Sequence, residues 1–314
     1  MCDTTEKIWD EMIKAITERM PYQLLPLIEE VFKKNYPIGT TVKLLATEHI
    51  VPQVEKNHSG SRTILSDITI LVGDKDIYHL ECQMTNDNEM ILRMYEYDFH
   101  IALSHGRIIS EDGSITLQFP HSVVMYPGTN KKIPDELSCN VIMPDNSTHT
   151  FKVPTIKVQN YSLDDIRKKH LTVFIPFTLL RFRPRLTSKT NPIKENELTE
   201  FVSQLIFILE EEVKAGNLTP TGAREYSEAI NNAARRIFAK HFIHKEEVLG
   251  VTKSKMIFMT EKIEILEAKV AEKDETIAKK DEALAEKDEA LAEKDEALAE
   301  KDAEIARLKE LLKA

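Results

Sequence analysis

Cysteine is scarce in this chain. Cys2, Cys82 and Cys139 are its three thiols, and their spacing fits neither a disulfide framework nor a thiolate metal site. A reduced, cytoplasmic setting is expected. Long apolar runs are missing too. The N-terminus is charged and amphipathic, so no secretory signal is expected there. The longest apolar stretch, Leu171 to Leu180, contains Pro176 and is too short to span a bilayer. No membrane partner is therefore expected. There is no phosphate-cradling Walker loop, no nucleophile elbow and no zinc-finger spacing. His241 and His244 stand three residues apart without a further ligand nearby, which argues against a metal there.

Positive charge is in deficit, with a net of −10. Residues 271–304 hold 14 acidic and 6 basic side chains, so the other 280 residues carry only about −2. A near-neutral body of this kind can hold a basic cleft, and the overall acidity does not exclude nucleic acid as a partner. The acidic segment is low-complexity. Ile263, Val270, Ile277, Leu284, Leu291, Leu298, Ile305 and Leu312 recur every seven residues, the heptad period. Lys280, Lys287, Lys294 and Lys301 fall at the second core position. The tail is expected to be a helix that supports a weak coiled-coil homo-oligomer.

Upstream of the tail, a mixed α/β order is legible. Asp3-Thr4-Thr5-Glu6 has the form of a capping box, and Ile8, Met12, Ile16 and Met20 then mark one helical stripe. Leu25 to Lys34 predicts a second helix, and Thr41 to Val51 a first strand. Arg62 to Val72 and Ile77 to Gln83, joined by Gly73-Asp74-Lys75-Asp76, predict a hairpin. A helix over Glu89 to Ser104, ended by Gly106, leads to β-like runs at Ile115 to Phe119, Ser122 to Tyr126, Leu137 to Met143 and Phe151 to Val158. Ser162-Leu163-Asp164-Asp165 opens a short helix with a capping box. After a polar segment from Arg183 to Asn196, Glu197 to Ala215 and Thr221 to Lys240 predict a helical pair, broken at Gly216-Asn217. The expected divisions are residues 1–190, a helical region at 191–252 and the heptad tail at 253–314.

The chemistry concentrates on the hairpin. Side chains alternate along a strand, so Glu81 and Gln83 share a face, with Leu80 and Cys82 on the other. Asp67 on the partner run can meet Glu81 across the pair. Two acids on one exposed hairpin face are unremarkable alone. Held close together, they repel unless a cation lies between them, and Mg²⁺ suits hard oxygen ligands.

Asp67…Glu81-x-Gln83 resembles the PD-(D/E)XK nuclease core, with Gln at the usual Lys position. Leu45-Ala46-Thr47-Glu48-His49, Tyr78-His79-Leu80-Glu81-Cys82-Gln83, Arg93-Met94-Tyr95-Glu96-Tyr97-Asp98 and Val153-Pro154-Thr155-Ile156-Lys157-Val158-Gln159 are similar to the nuclease-family transposases of this type. Those are relatives of the recombination-promoting nucleases, and the likeness runs from about Met20 to Arg183. The resemblance implies a restriction-endonuclease-like mixed sheet with flanking helices, followed by a helical region and a C-terminal coiled-coil-like helix. It implies a metal-dependent DNA endonuclease with Asp67, Glu81 and Gln83 as catalytic residues. Asp67, Glu81 and the backbone carbonyl of Cys82 would bind Mg²⁺ or another divalent cation.

Glu48 is a candidate extra acid, with Glu29 and Glu30 as competitors. Arg93, Tyr97, His100 and Ser104 form one stripe on the helix after the hairpin, opposite Ile91, Tyr95, Asp98 and Ala102. Arg93 and Tyr97 are the candidate DNA contacts on that stripe. Arg181-Phe182-Arg183-Pro184-Arg185 is a second basic candidate. The neutral Gln83 leaves a competing function open, a non-catalytic DNA-binding or assembly protein that oligomerises through its tail. Hydrolysis of RNA would use the same chemistry at phosphorus.

Overall fold

The computed structural model describes residues 7–311, except 38, 47, 56, 57, 66, 129–131 and 195. The proposed capping box at residues 3–6 lies outside them. α1 (Lys7–Arg19) buries Met12, Ile13, Ile16 and Thr17. Pro21 then opens a 3₁₀ turn, Pro21–Leu24, that leads into α2 (Leu25–Phe32) with Pro26 in its first turn.

The strands differ from expectation at two places. Thr41 to Val51 is two strands, β1 (Val42–Leu44) and β2 (Glu48–Glu55). Arg62 to Val72 is not one strand either. β3 (His58–Leu65) pairs with β2, whereas β4 (Ile68–Val72) pairs with β5 (Asp76–Cys82). Asp67 sits in the bend between β3 and β4, not on a strand. The β-branched residues on both sides hide the break, and the turn-forming Asp marks it.

α3 (Met90–His105) crosses over to β8 (His121–Tyr126), as a parallel strand pair requires. A small hairpin, β6 (Arg107–Ile109) with β7 (Ile115–Leu117), is inserted on the way. β9 (Glu136–Ile142) and β10 (Thr148–Lys157) complete a six-stranded mixed sheet of order β1-β4-β5-β8-β10-β9. β5, β8 and β10 run parallel, and the other pairings are antiparallel. Helices flank the sheet. On one side, Met90, Ile91 and Met94 of α3 pack with Val124, Tyr126, Leu137 and Val153.

α4 (Leu163–Lys168) has the expected capping box, with Ser162 Oγ accepting from the Asp165 N–H at 3.1 Å. The apolar stretch becomes a 3₁₀ run, Thr172–Arg185, in which Pro176 and Pro184 deny an α-helical ladder. Phe174, Phe177 and Leu179 within it have no solvent contact. α5 (Glu197–Ala215) ends at Gly216, whose φ of 80° is left-handed. α6 (Pro220–Ile237) is capped by Thr219, and its Ala233 and Ala234 are buried with Phe238 beyond it, as their spacing predicts. The last helix, α7, spans Phe242–Leu311. The chain forms two compact units, Met1–Met256 and Ile257–Ala314. Among the described residues, no helix is long and apolar enough to cross a membrane.

Candidate functional site

The β4–β5 register pairs Ile68 with Leu80, and its continuation sets Asp67 opposite Glu81. There the backbone ladder gives way to side chains. The Asp67 N–H donates to Glu81 Oε1 at 2.9 Å, and the Cys82 N–H donates to Asp67 Oδ2 at 3.0 Å. Each acid thus uses one oxygen to hold the other strand. Lys14 of α1 places Nζ 3.0 Å from Asp67 Oδ1. Oε2 of Glu81 takes no hydrogen bond among the described residues. The two acids foreseen on sequence are therefore brought together, although Asp67 does it from a bend.

Behind Glu81 runs a buried polar chain that sequence reasoning missed. His79 is two residues earlier on β5, so it shares Glu81's face, and its Nε2 lies 3.0 Å from Glu81 Oε1. Its Nδ1 lies 2.6 Å from Asp98 Oδ1 on α3, and Ser122 Oγ on β8 donates to Asp98 Oδ2 at 2.7 Å. Neither His79 nor Asp98 has solvent contact. Burial alone would push the imidazole down, but the bonds to Asp98 and Glu81 outweigh it and push it up to about 10. Burial and the charge of Asp67 push the Glu81 carboxyl up, against the opposing pull of His79. A signal was available on α3. Asp98 falls in the apolar series Ile91, Met94, Ile101, where an acid must be buried and needs a partner.

No protein-family model matches the chain, and no curated protein or solved structure matches it either.

Arg93 and Tyr97 both border it. The Tyr97 ring meets His79 edge-on at 6.0 Å between centroids. Partial burial, then the charge of Glu81, pushes its hydroxyl up. Arg93 is bound to Asp87 at 2.8 Å and reaches Gln83 Oε1 only at 3.5 Å. Further along the stripe, His100 rests against Phe99, and Ser104 is exposed. Cys82 is buried, so its thiol belongs to the core, while its peptide carries the bond to Asp67.

Other candidates are tied elsewhere. Glu30 accepts from Tyr161 at 3.0 Å and pairs with Lys169 at 2.7 Å, and Glu29 accepts from the Tyr36 N–H at 2.9 Å. Glu48 begins β2, but its side chain lies outside the described residues. In the basic run, Arg185 is bound to Glu197 at both ends of its fork. Arg181 stacks over Phe201 with its guanidinium carbon 4.9 Å from the ring centre. These two arginines are engaged within the fold.

Among the described residues, no three His, Cys, Asp or Glu side chains converge as a metal cage. A cation at Asp67 and Glu81 would rest on two carboxylates together with water or phosphate oxygens. That sparse, all-oxygen set is the kind Mg²⁺ takes, so the donors fit it.

Proposed function

We propose that this chain is a metal-dependent DNA endonuclease of the PD-(D/E)XK, transposase-like type, which hydrolyses phosphodiester bonds with water. One observation carries the proposal. Asp67 and Glu81 clasp each other through one oxygen apiece, which leaves Oε2 of Glu81 and Oδ1 of Asp67, the latter paired with Lys14, as the oxygens a metal cation would take. When bound, Mg²⁺ would polarise a phosphate oxygen and acidify a water. Asp67, Glu81 and the Cys82 carbonyl would hold it. His79 and Asp98 fix the Glu81 carboxylate from behind. Gln83 has no charge to offer and acts by hydrogen bonding, orienting water or phosphate. Arg93 and Tyr97 line the approach for the DNA backbone.

Plasmid DNA tests this. Purified full-length protein is expected to nick supercoiled plasmid with Mg²⁺ or Mn²⁺ and to stop in chelator. Asp67→Ala and Glu81→Ala are expected to abolish nicking and leave the far-ultraviolet circular dichroism intact. Wild type that fails to nick DNA whichever divalent metal is added, yet retards DNA in a gel, supports the second reading instead, a non-catalytic DNA-binding or assembly protein. That reading draws on the neutral Gln83 within reach of Arg93, and on an exposed apolar seam, Ile277, Leu284, Leu291, Leu298 and Ile305. With either function, we propose weak self-association through that seam.

A further inference from the structure

We propose that Lys14 is a catalytic residue of this site, supplying from α1 the positive charge that position 83 lacks. This rests on the nuclease reading above. Attack of water forms one P–O bond and breaks another. The water gives up a proton to solvent, the departing alkoxide takes one back, and negative charge builds on the non-bridging oxygens in between. Two carboxylates already face the site, so a divalent cation there is largely neutralised by its own ligands. The phosphate then needs a second cation, aimed from the protein, to stabilise the charge that develops.

Among the described residues, three cationic side chains stand near the acids. His79 is walled in behind Glu81, without solvent contact, and cannot reach a substrate. Arg93 lies on the approach, reaching Asp87 at 2.8 Å and Gln83 at 3.5 Å, and is bonded to neither Asp67 nor Glu81. Lys14 remains. Its Nζ lies 3.0 Å from Asp67 Oδ1, the oxygen that the β5 backbone does not use, and about a third of its side chain is exposed (35%). α1 carries it on a rigid base, because Ile13 and Thr17 on either side are buried. A cation taking Oδ1 would displace the ammonium group from that oxygen, and a phosphate oxygen bound beside the cation would accept its N–H. Lys14 stays protonated throughout and transfers no proton.

The test compares wild type, Lys14→Met, Lys14→Arg and the double variant Lys14→Met/Gln83→Lys. Single-turnover nicking of plasmid with Mg²⁺ is measured on full-length proteins, and Mn²⁺ affinity by calorimetry on the same samples. Methionine keeps an unbranched aliphatic stem and removes the charge. Lys14→Met is expected to slow nicking by about 100-fold or more. It is expected to bind Mn²⁺ at least as tightly as wild type, since a competing cation has left Asp67. Lys14→Arg keeps the charge and retains most of the rate. Gln83→Lys in the Met background returns at least about tenfold, because a charge restored at the neighbouring strand position can again meet the phosphate.

Lys14→Met cutting at the wild-type rate overturns the proposal. So does faster cutting, which would make Lys14 a plug in the cation position. Loss of Mn²⁺ binding overturns it too, since Lys14 would then merely hold Asp67 in place, and so does a relocated lysine that restores nothing. Wild type that cuts no DNA removes the nuclease reading itself, and the role of Lys14 with it.

Discussion

A histidine buried between two carboxylates costs a fold heavily unless the charges answer one another. His79 meets that condition, with Asp98 on one nitrogen and Glu81 on the other. His79→Ala leaves both acids buried without a cation. It is expected to lower stability by about 3–5 kcal/mol, read by urea unfolding in chelator. The pH dependence has a definite sign. The folded imidazole titrates at about 10, above its ordinary 6.5. Its stabilisation is therefore complete below the lower value and is lost as pH rises through the upper one. Across that window the unfolding free energy of metal-free protein is expected to fall, by at most about 1.4 kcal/mol per pH unit. A flat profile there would mean that His79 is buried neutral. The site was only half legible at this scale. Asp67 and Glu81 could be found because a local hairpin joins them. The partnership of His79 with Asp98 and Ser122 depends on the α3 crossover, which no short-range spacing reveals.

Elements whose signals are local came through well. The capping box at Ser162 is present, and Ser162→Ala is expected to cost about 1 kcal/mol in thermal unfolding. α5 has the bounds expected from its sequence, since Gly216 supplies the left-handed residue that ends it. Elements defined by a distant partner did not come through. β3 and β4 read as one strand until their separate partners, β2 and β5, are known. The 3₁₀ run at Thr172–Arg185 has apolar residues but no period of its own, because it is buried almost all round. Gly106 shows how a residue can be read for a lesser reason than the one that requires it. It closes α3, but a Cβ there would also lie 2.1 Å from the Gln118 carbonyl oxygen, just after β7. Gly106→Ala must push the β6–β7 hairpin off the end of α3. A loss of about 1–3 kcal/mol is expected in thermal unfolding. An unchanged melting temperature would show that the close approach is not needed.

At the scale of the whole molecule, composition marks the tail, and the chain divides at Met256 and Ile257 into two compact units. The tail's seam has one strong apolar residue per heptad, and Ile277, Leu284, Leu291, Leu298 and Ile305 are all exposed on the single chain. Pairing two such seams buries a leucine layer in each heptad and sets a lysine at the next core layer, which costs stability. Deleting residues 257–314 is therefore expected to leave a folded first unit, since the sheet, its flanking helices and the acidic site all precede the cut. Helix content is expected to fall, because each repeat is made of Ala, Glu, Lys and Leu, all good helix formers. Light scattering over a dilution series reads the association itself. The full chain should lose mass on dilution, and the truncated chain should hold a constant mass. Lys287→Leu with Lys294→Leu completes two core layers, so this variant should keep its larger mass at greater dilution. Equal masses for the full and truncated chains at every concentration would mean that the tail is a solvated helix, and that any assembly is made by the first unit.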